Sequence, residues 1–424
     1  MINSWNLSNG AKLVVEDIPY LRSSAIGVYI KVGSRYEDIS VAGASHFIEH
    51  MLFKGTATRS AREIAESFES MGGQLNAFTA KEQTCIYART LDEDIYTGIE
   101  IIFDMIFHSS FVEKDFTTER EVIIEEINMY EDTPDELIHD VFARNFWAGH
   151  AMGIPILGTS DSLRGLSRDD LYQFYETHYI PSNMVIAVAG NVDSKRIYEI
   201  VDQIMMKQKS GASSATLCKP EAVPAFISTV PKEIEQVQIC LGVPGINYFD
   251  EARYTQNVFN SILGGGMSSR LFQSLREERG LAYSVYSYAS NYSDTGLFSI
   301  YIGTGPGKVD QFFEALHAEL VELSEKGVTA EELDRTKKLM KSSVFLGLES
   351  VMNRMTRLGK GILMYGEVVS PEEVMQKVFA VNIEQVNQYA RSILKPQGVS
   401  MAAIGDKKVL PAVEQAFTNW WGAR

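Results

Sequence analysis

The feature that most constrains the fold of this chain is an internal repeat. The stretch DDLYQFYETHYIPSNMVIAVAGNVD, residues 169–193, aligns without gaps with EQVNQYARSILKPQGVSMAAIGDKK, residues 384–408. The alignment matches Gln173 with Gln388, Pro181 with Pro396, and Gly190 with Gly405. Near the start of each half, VGSRYED (32–38) pairs with PGINYFD (244–250). A duplicated sequence predicts a duplicated structural unit, so the 424 residues should form two similar domains.

The join between the two copies is predicted at residues 207–223. The sequence there, KQKSGASSATLCKPEAV, is small, polar and proline-containing, which is typical of a linker. It separates a first domain, 1–206, from a second domain, 224–424. Short β-rich runs such as SSAIGVYIKVG alternate with helical patterns such as VDQFFEALHAELVELSEKG. We therefore expect an α+β fold of two structurally similar domains, each a mostly antiparallel sheet with helices packed on it.

Rare histidines cluster in GASHFIEHML, residues 43–52. The chain holds seven histidines, and two of them, His46 and His50, lie four positions apart around Glu49. On a helix these three residues form one polar stripe among apolar positions, which indicates a buried helix whose polar stripe must be satisfied. Two imidazoles at this spacing can bind one Zn²⁺, with the glutamate beside the metal to take a proton from water. The alternative is a pair of core histidines that are hydrogen-bonded to backbone or carboxylate groups.

The second copy of this helix has lost the polar triplet. Carrying the repeat across places His46, Glu49 and His50 on three residues that do not ionise. These are Val258, Ser261 and Ile262, in the stretch QNVFNSIL. Whatever chemistry the triplet carries is therefore expected in the first domain alone.

Zinc with an open position for water needs a third protein ligand, and the acidic stretch 117–132, TTEREVIIEEINMYED, is where we expect it. Helical periodicity puts six residues on one largely apolar stripe: Glu119, Val122, Ile123, Glu126, Ile127 and Tyr130. A carboxylate on such a stripe is costly unless it is paired or metal-bound, so Glu126 is a better candidate than its neighbour Glu125. Glu119, two turns earlier, suits a supporting role beside a ligand histidine or a catalytic group. The alternative is a surface helix with many acids.

Composition narrows the class of protein. The net charge of −16 argues against a nucleic-acid partner, because phosphate-binding surfaces need clustered Lys and Arg. Three cysteines in no CxxC spacing indicate neither a disulfide framework nor a cysteine metal site. No apolar run reaches about 18 residues, and the N-terminal MINSWNLSNGAKLVVEDI predicts a strand, an Asn-Gly turn and a strand rather than a signal peptide. We therefore expect a cytoplasmic protein with no membrane partner.

These motifs carry a resemblance to a known family. HFIEH followed by EREVIIEEI resembles the inverted zinc motif of the pitrilysin and insulinase metallopeptidases. The longer stretch HFIEHMLFKGTATRSAREIAESFESMGGQLNAFTAKEQT is similar to the catalytic subunit of mitochondrial processing peptidase and its bacterial homologues. The resemblance extends over essentially the whole chain and implies a zinc endopeptidase. By it, His46, His50 and Glu126 match the zinc ligands. Glu49 matches the general base, and Glu119 matches a second glutamate that catalysis needs.

The same resemblance implies where a peptide would bind. The stretch GGQLNAFTAKEQ, 72–83, is similar to an edge strand to which substrates add as a further β-strand. The peptide backbone would contact Asn76, Ala77 and Phe78. In the second domain LREERGLAY is similar to a segment whose Arg and Tyr grip the substrate carbonyl, here Arg276 and Tyr283. Without the resemblance, a plain surface helix followed by a strand would be the preferred interpretation of that segment.

The resemblance also implies an assembly. Members of the family are clamshells of four similar domains, whereas this chain supplies two, so a homodimer is expected in which Arg276 and Tyr283 reach the zinc site of the other chain. An enclosed chamber would admit peptides and unfolded segments and exclude folded proteins. The alternative function is a non-catalytic scaffold or partner subunit of a processing-peptidase-like complex, in which the zinc ligands are typically lost.

Overall fold

A computed structural model describes residues 1–211, 217–393 and 398–421 of the protein. Residues 212–216 of the predicted linker, and Pro396 of the repeat alignment, lie outside this part of the chain. The described residues form eleven strands: β1 Ile2–Asn6, β2 Lys12–Asp17, β3 Ser23–Ile30, β4 Gln74–Thr79, β5 Thr84–Leu91, β6 Met184–Gly190, β7 Ile227–Pro231, β8 Val237–Pro244, β9 Ala282–Asn291, β10 Gly296–Thr304 and β11 Ser400–Gly405.

Fifteen α-helices accompany the strands in the described chain. They are α1 Ala44–Leu52, α2 Ala61–Ser70, α3 Ile95–His108, α4 Glu113–Glu131, α5 Pro134–Phe146, α6 Ser160–Gly165, α7 Arg168–His178, α8 Ser194–Met205, α9 Arg253–Gly264, α10 Val309–Lys326, α11 Ala330–Gly347, α12 Val351–Tyr365, α13 Pro371–Ala380, α14 Ile383–Ile393 and α15 Leu410–Trp421. None of the described helices is both long and apolar enough to cross a lipid bilayer.

The two sheets repeat one topology. The first has the strand order β1-β2-β6-β3-β5-β4 and the second the order β7-β11-β8-β10-β9. Apart from β1, the strands correspond one to one, including a single parallel pair in each sheet, β2 with β6 and β7 with β11. All other neighbours are antiparallel. The predicted α+β fold of two similar, mostly antiparallel units is therefore confirmed.

Strand β3 explains how the first sheet is stabilised, because both of its faces are buried. Ile26 and Val28 face the main apolar core, which also contains the apolar side of α1. Tyr29 faces the other way and packs with Met355 and Leu358 of α12. A strand that is covered on both faces has a nearly continuous apolar sequence, as SSAIGVYI does.

Contacts divide the chain into two compact units that are not continuous in sequence. The first unit contains Met1–Met129, Ile154–Cys218 and Phe345–Val369. The second contains Tyr130–Gly153, Lys219–Val344 and Ser370–Arg424. Helix α12 therefore belongs to the first unit although it lies in the second half of the sequence, and α5 belongs to the second unit although it lies in the first half. The limits 1–206 and 224–424 describe the two copies of the sequence repeat, and as domain limits they stay a prediction.

Helix α12 approaches the first sheet so closely that one glycine is required. A Cβ atom at Gly359 would lie 2.1 Å from Cε2 of the buried Tyr29 ring. We expect Gly359→Ala to lower the free energy of unfolding by about 1–3 kcal/mol, because the added methyl overpacks the contact and outweighs the gain in helix propensity. Urea denaturation measures the difference.

Gly165→Ala is the matched control, since nothing lies within 4 Å of a Cβ atom at Gly165, the last residue of α6. This variant should be unchanged or slightly more stable. Equal stability of the Gly359 and Gly165 variants would contradict the close approach of α12.

Candidate metal centre

Helix α1 is held by its apolar side. Phe47, Ile48, Met51 and Leu52 have no exposed surface, and the Phe47 ring stacks on Phe116 of α4 with 4.8 Å between ring centroids. The polar stripe of α1 is on the opposite side and is only partly covered: His46 is 9% exposed, and Glu49 and His50 are half-buried. Burial of the apolar side thus fixes where the polar stripe points.

Helix α4 supplies carboxylates from its core-facing side. Glu119 is buried and Glu126 is half-buried, while Glu125 is exposed. The predicted stripe is wrong for Val122, which is 46% exposed. With about 100° per residue, the buried arc of α4 centres on Phe116 and neighbouring isoleucines, so Glu126 lies at its edge and Val122 beyond it. A glutamate at the edge of the core can reach the histidines on the polar stripe of α1.

Three side chains predicted to bind metal come together where the polar stripe of α1 meets α4. Glu126 Oε2 lies 3.8 Å from His46 Nε2 and 3.6 Å from His50 Nε2. The potential ligand atoms of the three residues all lie within 4.8 Å of one another. Tetrahedral zinc bonded at about 2.0–2.2 Å places its ligand atoms about 3.4 Å apart, so the spacing fits this ion. The donor set of two imidazoles and one carboxylate leaves a fourth position open, as in catalytic zinc sites.

Glu119 orients one of these histidines. Its Oε2 lies 3.1 Å from His50 Nδ1, and its Oε1 lies 2.6 Å from Lys54 Nζ. An acceptor at Nδ1 fixes the proton on that nitrogen and directs the lone pair of His50 Nε2 toward Glu126. The sequence interpretation missed Lys54. The signal that could have found it is the spacing of four residues after His50, which continues the stripe of α1 by one turn.

Glu49 is held by a hydroxyl from the edge of the sheet. Thr79 Oγ1, at the end of β4, donates a hydrogen bond of 2.5 Å to Glu49 Oε2. The alternation of β4 puts Ala77 on the same face as Thr79. Sequence reasoning missed Thr79, although period two from Ala77 would have found it.

The remaining predicted residues of β4 point elsewhere. Phe78 lies on the other face of the sheet, with its ring centroid 6.2 Å from that of Tyr87, and Asn76 is exposed. Strand β4 is the edge strand of the first sheet. Its backbone is thus placed for strand addition, whereas Leu75, Ala77 and Thr79 present their side chains on the face of α1. The role of Asn76, Ala77 and Phe78 as contacts to a peptide stays a prediction.

Burial and charge set the protonation of the centre. Burial lowers the pKa of His46 to about 4, and the nearby His50 acts in the same direction. Burial opposes the charged form of His50 as well, but the carboxylates of Glu126 and Glu119 outweigh it and raise the pKa of this ring. Interaction with His50 lowers the pKa of Glu126, whereas burial raises the pKa of Glu49. His46 is therefore neutral near neutral pH, with a lone pair free for a metal.

Arg276 and Tyr283 lie in the second compact unit. Arg276 is on a π-helical segment, Phe272–Glu278, and Tyr283 is on β9. The Arg276 guanidinium lies over the rings of Phe272 and Tyr283, at 4.6 Å and 5.9 Å from their centroids. Tyr283 is 75% exposed. The two side chains are thus neighbours on an open surface, and their contact with a substrate stays a prediction.

Comparison with known proteins gives the same family for both halves of the sequence. The profile described as insulinase (peptidase family M16) matches residues 12–160, and the profile described as peptidase M16 inactive domain matches residues 165–340. The chain is 43% identical to an uncharacterized zinc protease of Bacillus subtilis, over 97% of this chain and 100% of the relative. It is 41% identical to an uncharacterized zinc protease of Streptomyces coelicolor, over 96% of this chain and 90% of the relative.

Solved structures share the fold. A structure titled peptidase M16 inactive domain from Pseudomonas fluorescens superimposes with a TM-score of 0.89 at 21% identity, over 96% of this chain and 98% of the other. A protease from Helicobacter pylori also gives a TM-score of 0.89 at 21% identity, over 96% and 99% of the two chains. At this identity the likeness establishes the architecture.

The convergence of the three donors leads to a metal-binding prediction. We expect the protein, after chelation, to take up one Zn²⁺ per chain. Glu126→Ala should weaken binding by more than the roughly 10–100-fold that loss of a supporting residue costs, because it removes a ligand atom. Dialysis against a competing chelator, followed by metal analysis, measures the affinity.

The exposed neighbour provides the control, since Glu125→Ala should leave zinc affinity unchanged. Stoichiometric zinc in the Glu126→Ala variant would exclude this site. A protein that holds no zinc in any form would instead favour the scaffold alternative.

Proposed function

Because this chain belongs to the insulinase (peptidase M16) family, we propose that it is a zinc-dependent endopeptidase that cleaves peptides or unfolded protein segments. The observation that carries the proposal is the convergence of His46, His50 and Glu126 with Glu49 on the same stripe of α1. His46 Nε2, His50 Nε2 and Glu126 Oε2 would hold the ion. When bound, Zn²⁺ would supply Lewis acidity, which makes water more acidic and polarises a peptide carbonyl.

Glu49 would carry out the proton transfers. Thr79 occupies Oε2 of the Glu49 carboxylate, so Oε1 is the oxygen available to accept a proton from the attacking water. The same oxygen would later donate that proton to the leaving amine. Burial, which raises the pKa of Glu49, suits a group that must both accept and release a proton near neutral pH. Glu119 would act through His50, by keeping its ring oriented.

The peptide and the partner chain complete the proposal. A substrate would add to the free edge of β4, with its backbone along Asn76, Ala77 and Phe78. Arg276 and Tyr283 would come from the second chain of a homodimer and stabilise the negative charge that develops on the scissile carbonyl oxygen. A chamber closed by the dimer would exclude folded proteins. The proposed location is the cytoplasm.

The scaffold alternative gains no support from the description of one profile as an inactive domain. That profile matches residues 165–340, where Val258, Ser261 and Ile262 stand in place of the triplet. In residues 12–160 all three donors and the base are present. One inactive half beside one complete half is what a single-site enzyme would contain.

The assignment of the base is tested by Glu49→Gln. This variant should keep its zinc, because the three ligands are intact, and lose peptidase activity by a factor on the order of 10²–10⁴, since the amide cannot accept the proton. Cleavage of an internally quenched peptide measures the rate, and metal analysis of the same sample measures the zinc. Glu125→Gln on α4 controls for the loss of one charge. Undiminished cleavage by Glu49→Gln would refute the role of the base.

Contribution of residues by the second chain is tested by mixing two inactive variants. Glu49→Gln lacks the base, and Arg276→Ala lacks the carbonyl contact, so a mixed dimer would hold one complete site and one doubly impaired site. Dimers isolated with a different tag on each chain should recover about half of the wild-type activity, as two-fold symmetry requires. Two differently tagged Glu49→Gln chains serve as the control and should stay inactive. A mixed dimer without activity, or an active monomer, would contradict the assembly.

A further inference from the structure

Helix α1, which carries two of the three metal donors, has no capping side chain at its N-cap position. The N-cap residue of α1 is Gly43, in the left-handed region with φ of 96°, and it makes no side-chain cap hydrogen bond. The first backbone N–H groups of a helix have no partner within the helix and need an acceptor when they are buried. Ala44 and Ser45, which follow Gly43, have no exposed surface, so water is not the acceptor there.

A buried glutamate from an upstream loop takes the place of the missing cap. Glu37 is 3% exposed. Its Oε2 accepts a hydrogen bond of 2.7 Å from the Gly43 N–H, and its Oε1 accepts one of 2.7 Å from the Ser45 N–H. Both carboxylate oxygens are therefore used on the first turn of α1, at the end where the helix dipole favours a negative charge. The next residue along the chain, His46, is one of the three metal donors.

The loop that carries Glu37 is itself anchored to the edge of the sheet. The Ser34 N–H donates to the carbonyl of Ala80 at 3.2 Å, and the Arg35 N–H donates to that of Lys81 at 2.8 Å. The buried Arg35 guanidinium pairs with Glu82 in the same turn between β4 and β5. Glu37 is therefore fixed relative to β4, the strand whose Thr79 holds Glu49.

The second copy of the repeat has no glutamate at this position. In the alignment of VGSRYED with PGINYFD, Tyr36 matches Tyr248 and Asp38 matches Asp250, while Glu37 falls on Phe249. Phe249 is 56% exposed. The helix that follows it, α9, has Ala252 as its N-cap residue, and the Ala252 N–H donates a hydrogen bond of 2.8 Å to Asp250 Oδ1 instead. The copy that lacks the metal donors also lacks the buried glutamate, and it keeps the residues on either side.

We propose that Glu37 is a positioning residue of the metal centre, which fixes the first turn of α1 so that His46 Nε2 meets His50 Nε2 and Glu126 Oε2. The inference rests on the proposed zinc function and extends it to a residue outside the donor set. Loss of Glu37 would loosen one of the three donors, while the buried apolar side of α1 keeps the helix packed in the core. The expected result is weaker zinc binding and slower turnover with little change in substrate binding.

The first test measures the zinc affinity of the full-length protein, stripped of metal and titrated with Zn²⁺ against a chromophoric chelator. Glu37→Gln and Glu37→Ala should each weaken binding about 10–100-fold, the range expected for loss of a residue that orients a ligand. In the zinc-saturated enzyme kcat should fall and KM should stay within about twofold. Asp38→Asn is the matched control: this exposed neighbour caps the following turn through the Ser40 N–H, and its loss should leave zinc affinity unchanged.

The second test asks whether Glu37 acts through His46. Zinc affinities of wild type, Glu37→Gln, His46→Ala and the double variant form a cycle. If Glu37 only positions His46, the double variant should bind zinc as weakly as His46→Ala alone. Additive losses would overturn the proposal.

The outcomes separate this inference from the proposed function. If the wild-type protein binds zinc and cleaves peptides while both Glu37 variants fold and bind zinc within about twofold of it, the positioning role is refuted and the enzyme stands. Lower thermal stability of the Glu37 variants at unchanged zinc affinity would likewise refute it, as evidence of a purely structural role. A wild-type protein without zinc or activity would refute the proposed function itself. Because Gln has nearly the shape of Glu, Glu37→Gln gives the decisive reading if Glu37→Ala fails to fold.

Discussion

The stack of Phe47 on Phe116 is the contact on which the metal centre depends. It joins α1 to α4 within the core of the first unit and sets how far along each helix the two meet. Phe47 adjoins His46, and Phe116 lies one turn before Glu119 on α4. Once these rings are buried, the polar edges of both helices have to face each other. Five ionisable side chains are thereby brought together: His46, Glu49, His50, Glu119 and Glu126. The chemistry of the centre is therefore positioned by apolar packing, whose burial outweighs the cost of drawing charged groups partly out of water.

The duplication separates what the fold requires from what the chemistry requires. Apart from β1, both sheets have the same strand order, and both copies bury a phenylalanine at the same position of the repeat, Phe47 in α1 and Phe259 in α9. In α9 the neighbours are Val258 and Ile262, both buried, and they pack where α1 carries histidines. An apolar residue at these positions costs the fold nothing. Packing therefore does not require the histidines of the first copy, and their presence indicates a role other than stabilising the fold.

Sequence reasoning predicted those parts of the structure that depend on local periodicity. The repeat predicted two similar units, and the period of 3.6 selected Glu126 over Glu125 because a single helix face decides between them. The same period failed for Val122, since the width of a buried arc depends on what packs against it. Local periodicity does not predict contacts between distant segments. Thr79 and Glu49, for example, are 30 positions apart and lie on different elements.

Sequence order also does not reveal which unit a helix joins. Helix α12 covers the first sheet and α5 belongs to the second unit. The apolar pattern of an amphipathic helix shows which face is buried but does not show which sheet it packs on. The side chain of Phe78, a residue that the resemblance places along the peptide backbone, lies on the face of the sheet that α12 covers. The alternation of β4 decides its direction, and which face points to the metal depends on the neighbouring strand.

Four glutamates around α1 show how surroundings assign different tasks to one residue type. Glu119 is buried between an ammonium group and a histidine ring, and these contacts hold its carboxyl group where it can orient His50. Glu126 is half-buried, and its Oε2 lies near the Nε2 atoms of both imidazoles, where the three atoms can hold a cation together. Glu49 is partnered by a neutral hydroxyl, and burial favours its protonated form, as a proton carrier requires. Glu37 accepts hydrogen bonds from two backbone N–H groups of the first turn of α1, one at each carboxylate oxygen. The sequence presents four equal carboxylates, and their different partners make one of them an orienting group, one a ligand, one a base and one a cap.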